Sequence, residues 1–413
     1  MTGVPTEVSL RIVLPDGQEV TAGTIVDEGV HGRLAGVMAF RYSESYLADP
    51  RAYPLSPDMP LSSGPHRAWP GRPALGAVGD ALPDQWGRRI IRARFPVRGS
   101  FDYLVHVADL TRQGALRVEA DGSYLAAESH PAAQILDLAA IIAASRAFEE
   151  GRETEDDLRI LVAAGTSGGG ARPKAAVRGA DGALWVAKFA RETEFYDPMA
   201  WEAAALNLAR TAGITVPQFD LVTLRDDQSV LLTRRFDRAG DARRIGYLSA
   251  HSLVMKTDDE ALSYAHLSDA LAATSPDPRG DQAELFRRAA FNVLIGNVDD
   301  HFRNHGFLRM PTGWALSPAF DLEPNGNPER VEATPLVDGG DRLDRDIREL
   351  AGAHDAFRLS SGAAASIVRD VAERTSAWAD VAMSYGISPE STATRARVFD
   401  GPNRKRALAF SAS

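Results

Sequence analysis

Residues 292–308, NVLIGNVDDHFRNHGFL, place two aspartates, two histidines and three asparagines among apolar neighbours. Val293, Leu294, Ile295, Phe307 and Leu308 call for burial. Asn292, Asn297, Asp299, Asp300, His301, Asn304 and His305 call for hydrogen-bond partners. A solvated face has no need of the first set, and a plain core does not tolerate the second. The stretch therefore reads as a helix end that supports a loop carrying chemistry.

The rest of the chain bounds that chemistry. At 413 residues there is room for two or three domains. With 56 acidic against 46 basic residues the net charge is -10, which argues against a general nucleic-acid binder. The absence of cysteine excludes disulfides, thiolate metal sites and a cysteine nucleophile, and fits a reducing compartment. The opening MTGVPTEVSLRIVLPDGQEV has no basic stretch followed by an apolar core, so no signal peptide is expected. No run of about 18 apolar residues suggests a membrane span, and the expected compartment is the cytoplasm.

Along the chain, Val8, Leu10, Ile12 and Leu14 alternate up to a Pro-Asp-Gly turn and a second strand-like run, which predicts an opening hairpin. A strand is expected over 35–43, an extended proline-rich loop over 49–73, and a short helix in ALPDQWGRRIIRARF. Apolar spacing predicts a helix over 132–151. From 158 the pattern reads as strands, with clear β-like runs at 174–178 and 183–189. A helix over 198–213, closed by Gly213, precedes two further strands, FDLVTL and SVLLTRRFDR, and after about 245 the chain reads mostly helical. The fold class is α+β: residues 1–130, an α+β N-terminal subdomain; 131–240, a β-rich region with a glycine loop; 241–413, a helical lobe.

Three constellations could carry chemistry. In GTSGGGARPK (165–174) the glycines let backbone N–H groups converge on an anion. It is not a Walker A loop, since the lysine lies four residues past the last glycine with no Ser or Thr after it. On its own the loop reads as a flexible hairpin tip. Lys188, in the apolar run LWVAKFA, needs an anion or a route to water, and Glu202 on the next helix could hold it. Protein kinases place a strand lysine similarly after their glycine loop. Third, Asp299 to Asn304 spells D-x-x-x-x-N, followed after a strand–turn–strand by Asp321 in SPAFDLEP. One carboxylate can receive a hydroxyl proton while the other and the asparagine hold a hard cation. His301 and His305 have zinc-ligand spacing, but no HExxH glutamate accompanies them.

SGGGARPKAAV, WVAKF, RRFDR, IGNVDDHFRNHGFL and SPAFDLEP, in that order, resemble the HipA-type serine/threonine kinases of bacterial toxin–antitoxin systems. PLSPDMPL and ALPDQWGRRII look like that family's N-terminal subdomain. The resemblance implies a protein-kinase-like two-lobed fold that binds ATP and Mg2+. Asp299 matches the base that accepts the substrate proton, Asn304 and Asp321 the Mg2+ ligands, and Lys188 the lysine on the ATP phosphates. His301 matches a nucleotide-contacting histidine. Gly168, Gly169, Gly170, Ala171, Arg172 and Lys174 match the phosphate-covering loop, with Ser167, ahead of Thr166, as the autophosphorylation candidate. Arg234, Arg235 and Phe236 match the hinge that cradles adenine through backbone groups. Asn297, Asp300 and His305 are read as holding the loop in place.

The implied partners are a HipB-like helix-turn-helix antitoxin and a protein substrate such as an aminoacyl-tRNA synthetase. DNA would be reached only through the antitoxin, and no membrane is involved. Two further readings share these residues: a nucleotide-bound co-repressor with little kinase activity, and a small-molecule phosphotransferase. The basic cluster Arg404, Lys405 and Arg406 is expected to be a solvated terminus.

Overall fold

Alternation in residues 8–14 becomes a strand with one wet face. Val8, Leu10, Ile12 and Leu14 are all buried, and Glu7–Val13 pairs antiparallel with Glu19–Asp27. Gly17 closes the hairpin at φ +93°, donating to the Leu14 carbonyl at 2.8 Å. In the second strand of this hairpin Gly23 has no room for a side chain, because a Cβ would lie 2.1 Å from the Arg41 carbonyl oxygen. The computed structural model describes residues 5–28, 38–68, 72, 74–126, 137–165, 172–191, 194–224, 228–240, 243–254, 262–324, 333–342 and 345–410. Among these the chain forms two compact units, Met1–Glu192 with Leu232–Met255, and Thr193–Leu231 with Lys256–Ser413.

In the first unit the opening hairpin is the centre of a six-stranded sheet. Its order is His66–Arg67, Met38–Tyr42, Glu19–Asp27, Glu7–Val13, Leu116–Ala120, Ser123–Tyr124, with every neighbouring pair antiparallel. The helix Gln85–Arg94 starts at Asp84, whose carboxylate accepts the Gly87 N–H at 2.7 Å. Its Trp86 and Ile90 pack with Ala144, Leu161 and Val162 from the helices Leu138–Glu149 and Glu155–Ala164. The last of these corrects the strand reading from 158. Thr154 and Asp157 form a reciprocal capping box, and Leu158, Leu161 and Val162 have helical, not alternating, spacing. Lys174–Arg178 and Leu184–Phe189 then form the expected hairpin.

The RRFDR stretch carries much of the buried charge of this unit. Asp237 is buried between Arg235 at 2.5 Å and Arg238 at 2.8 Å, and accepts the Gly114 N–H at 2.8 Å. The guanidinium groups of Arg235, Arg238 and Arg244 all donate to one carbonyl, that of Arg112, at 3.2, 2.8 and 3.4 Å. The loop around Arg112 is thereby clamped by side chains more than 120 residues later. Burial pushes the Asp237 carboxyl up, but the adjacent Arg235 and Arg238 charges overcome this and hold it far below the carboxylate range.

The second unit is helical around Tyr264–Thr274, Pro278–Ile295 and Ser361–Arg374, with Leu267, Leu271, Leu285, Phe286 and Val368 in its core. The helix Pro198–Thr211 ends as expected, with Gly213 at φ +79°. The C-terminal basic cluster is corrected: Arg404 is buried in the helix Pro402–Leu408 and donates to the Phe399 and Ala372 carbonyls and to Thr375. A guanidinium has enough donors to cap several helix-end carbonyls at once, which a count of charges does not reveal. No helix among the described residues is long and apolar enough to cross a membrane.

The clamp in the first unit generates a prediction. Asp237→Asn leaves Arg235 and Arg238 buried without their counter-charge. It should cost about 3 kcal/mol, read as a lower urea midpoint with an unchanged slope.

Candidate active site

The helix Pro278–Ile295 stops at Gly296, whose φ of +63° and ψ of 39° turn the chain out of the helix. The Asn297 N–H still reaches back to the Asn292 carbonyl at 2.9 Å. The Asn297 side chain then works in both directions: its amide donates to Asn292 Oδ1 at 3.2 Å, and its Oδ1 accepts the Asp299 N–H at 3.2 Å. Asp299 is thus fixed at the backbone while its side chain stays 57 % exposed. A short 3-10 turn, Phe302–Asn304, follows and brings Asn304 back, so that its Nδ2 donates to the Asp299 carbonyl at 2.8 Å. His301 Nε2 stands 3.8 Å from Asp299 Oδ1, and its Nδ1 is buried with no protein partner.

Beneath this turn the Asp300 carboxylate is buried. Its Oδ2 accepts from Tyr264 and Arg345, both at 2.7 Å, and its Oδ1 contacts His305 Nε2 at 3.0 Å. The Asp300 carbonyl accepts twice from Thr334, from its N–H at 2.8 Å and its hydroxyl at 2.7 Å. Burial pushes the Asp300 carboxyl up; the Arg345 charge and the bonds from His305 and Tyr264 outweigh that and leave it below its ordinary range. Burial, together with the same carboxylate, drives the Tyr264 phenol well above its usual value, so it remains a donor.

After the hairpin Gly306–Met310 and Gly313–Leu316, the Ser317 N–H bonds back to the Gly306 carbonyl at 2.9 Å. This returns the chain to the loop. Asp321 follows at φ +54°, a left-handed backbone that non-glycine residues seldom adopt. Asp321 and Asn304 line one cleft, with Asn297, Asp300, Phe320 and Leu322 among its other walls. Since the Asn304 amide nitrogen is committed to Asp299, its Oδ1 is the atom left for a cation. Among the described residues no three His, Asp or Glu side chains gather as a metal site. A cation here would rest on one carboxylate, one amide oxygen and water, a donor set that suits a hard ion such as Mg2+.

Comparison with known proteins shows the family. Residues 166–379 match the model of the HipA-like C-terminal domain, and residues 17–130 match that of the HipA N-terminal domain. The chain belongs to the HipA family. It is 26% identical over 338 residues to the Y4mE protein of Sinorhizobium fredii, across 73% of this chain and 75% of that one. With the serine/threonine-protein kinase toxin HipA of Shewanella oneidensis it shares 24% identity over 165 residues, a match that spans 35% of this chain and 38% of that toxin. Its fold is that of a HipA solved in a toxin–antitoxin complex of HipA, HipB and operator DNA from Shewanella oneidensis. The TM-score is 0.67 at 18% identity, covering 97% of this chain and 96% of the other.

In this HipA-family chain, the remaining site candidates all lie in the first unit. Lys188 is half-buried on the strand Leu184–Phe189 and stands directly opposite Lys174 in the antiparallel register. Lys174 is buried and paired with Asp84 at 2.9 Å, so the ammonium nearest the glycine loop in sequence is already neutralised. Gly168, Gly169, Gly170 and Ala171, with Thr166 and Ser167, lie outside the described residues; Arg172 lies at their edge. In the stretch matched to a hinge, the Arg235 N–H donates to the Leu184 carbonyl at 3.0 Å, which leaves its carbonyl as the backbone group on offer there. The Arg234 side chain reaches Asp181 at 3.6 Å, and Phe236 packs against Tyr247. Sequence reasoning did not find Tyr264, Thr334 or Arg345; they converge on Asp300 from 36, 34 and 45 residues away.

Asp300 has a pH consequence. Its carboxyl is lowered from an ordinary 3.8, so the unfolded chain binds the proton more readily. The stabilisation is fully present above that value and is lost as pH falls below it through the folded value. Asp300→Asn should be less stable at pH 7 by about 3 kcal/mol. It should also lose less further stability than the wild type between pH 5 and pH 3, measured by urea unfolding across that range.

Proposed function

We propose that this protein is a Mg2+- and ATP-dependent protein serine/threonine kinase acting as the toxin of a toxin–antitoxin pair. The observation that carries the reading is the coupling of Asn304 to Asp299: a residue suited to a cation is hydrogen-bonded to the backbone of a residue suited to a proton. In this reading Asp299 accepts the proton of a substrate hydroxyl as the oxygen attacks the γ-phosphoryl group. Its backbone is held on both sides, by Asn297 and Asn304, so orientation is set before substrate arrives. Asn304 and Asp321 hold Mg2+, which when bound neutralises charge on the phosphate oxygens. His301, whose Nε2 stands beside Asp299, contacts the nucleotide.

Lys188 meets the ATP phosphates, the 167–174 loop covers them, and the backbone of Arg234–Phe236 receives adenine. Ser167 is the candidate for autophosphorylation. The protein substrate belongs to the translation machinery, an aminoacyl-tRNA synthetase being the class to test first. The antitoxin is a HipB-like DNA-binding protein. Support for it comes from the structural relative, whose complex contains HipB and operator DNA. A net charge of -10 agrees with DNA being reached through that partner.

Intact mass of the purified chain before and after Mg2+-ATP, beside Asp299→Asn, tests the activity. The wild type should gain mass in whole phosphoryl units and the variant should not, with peptide mapping placing the group at Ser167. A wild type that gains no mass and transfers phosphate to no synthetase sinks the kinase reading.

A further inference from the structure

Arg345 lies 24 residues beyond Asp321 and belongs to no motif in the sequence, yet it spans the turn that carries Asp299. Its Nη1 donates to the Asn297 carbonyl at 3.0 Å and its Nη2 to Asp300 Oδ2 at 2.7 Å. These acceptors flank Asp299, one two residues before it and one immediately after. The side chain is 9 % exposed, and its guanidinium sits 6.0 Å over the ring of Tyr264, the residue that donates to the same Asp300 oxygen. Arg345, Tyr264 and Asp300 thus close a triangle under the loop.

Arg345 is itself held from the C-terminal helix Pro402–Leu408. Asn403 brackets it along the backbone: its Nδ2 donates to the Arg345 carbonyl at 2.8 Å, and its Oδ1 accepts the Ile347 N–H at 3.1 Å. Arg406 pairs at 3.0 Å with Asp346, which caps the helix Ile347–Gly352. The buried Arg404 seats that C-terminal helix on Ala372, Thr375 and Phe399. A continuous set of hydrogen bonds therefore runs from the C-terminal helix, through residues 345–347, to the two ends of the turn at Asp299.

We infer that Arg345 is a positioning residue for Asp299, and that the C-terminal helix acts on the reaction through Asn403 and Arg345. The inference rests on the kinase reading of Asp299. Its physical basis is the fork of the guanidinium. Two donors in fixed relative geometry hold the carbonyl before Asp299 and the carboxylate after it at a set separation, whereas a lysine ammonium is a single compact point on a flexible stem. Relaxing that separation lets the Asp299 carboxylate drift from the attacking oxygen, while Arg345 itself is bonded to none of the groups assigned to ATP. An error of about 1 Å in such placement costs on the order of 100-fold in rate.

The test is steady-state phosphoryl transfer from Mg2+-ATP by the full chain, comparing wild type, Asp299→Asn, Arg345→Ala, Arg345→Lys and Asn403→Ala. Each is assayed where circular dichroism shows it folded. Arg345→Ala should lose about 100-fold in kcat with KM for ATP within about threefold of wild type. Arg345→Lys should recover part of that loss, and Asn403→Ala, which leaves the guanidinium intact, should lower kcat to a smaller extent. If Arg345→Ala does not fold, the lysine and Asn403 variants decide alone. An active wild type whose folded variants keep kcat, or lose activity only through KM, overturns the positioning role and leaves the kinase reading standing. A wild type with no phosphoryl transfer overturns both.

Discussion

The buried carboxylate of Asp300 is the interaction on which the helical unit is organised. A lone carboxylate in such a place would cost several kcal/mol. Here three side chains meet it from separate stretches of chain: Tyr264 at the start of one helix, His305 ahead of a hairpin, and Arg345 ahead of another helix. Each donor has its own direction, so the carboxylate can be satisfied only when all three stretches lie in one arrangement. A purely apolar core at this point would pack as well but would specify position less sharply. The conformation of the 297–304 loop is in this way fixed by the whole unit as well as by the loop's own Asn297 and Asn304.

The first unit solves a similar problem with the signs exchanged. There the polar groups needing partners are backbone carbonyls of the loop around Arg112, and the side chains converging on them are cations. Arg235, Arg238 and Arg244 share the Arg112 carbonyl, and Asp237 between two of them keeps the cluster from being all of one sign. The stretch read as an adenine hinge therefore has side chains turned to structural work, while its backbone remains the part that could face a nucleotide. The same division holds at Lys174 and Lys188. Directly opposed lysines repel across a sheet, and here the buried one is neutralised by Asp84.

What was legible in the sequence was whatever depends on neighbours in the chain. The opening hairpin, the helix closed by Gly213, the hairpin between Asn304 and Asp321, and the loop-holding roles of Asn297 and His305 all follow from spacing within a few residues. The helix over 155–164 was hidden because the β-branched Ile160 and Val162, on either side of Leu161, also suit a strand. Its cap at Thr154 and Asp157 was the available signal. Partners from far along the chain left no such trace. Nothing local marks Arg345 as the donor to Asp300, Asp84 as the counter-charge of Lys174, or Arg404 as buried. Arginine and aspartate are common on surfaces, and only the tertiary fold decides which of them go inside.

The division of the chain has a consequence for how such a protein can change. The first unit is built from Met1–Glu192 and Leu232–Met255, and the second from Thr193–Leu231 and Lys256–Ser413. The chain passes between them after residues 192, 231 and 255, and the second passage falls inside the strand Ser229–Arg234. Neither unit is a single uninterrupted segment. A shuffling event with one breakpoint cannot exchange either of them whole, and neither can be released by trimming one end. Exchanging either unit whole takes more than one breakpoint, so its two segments are more readily inherited together than apart.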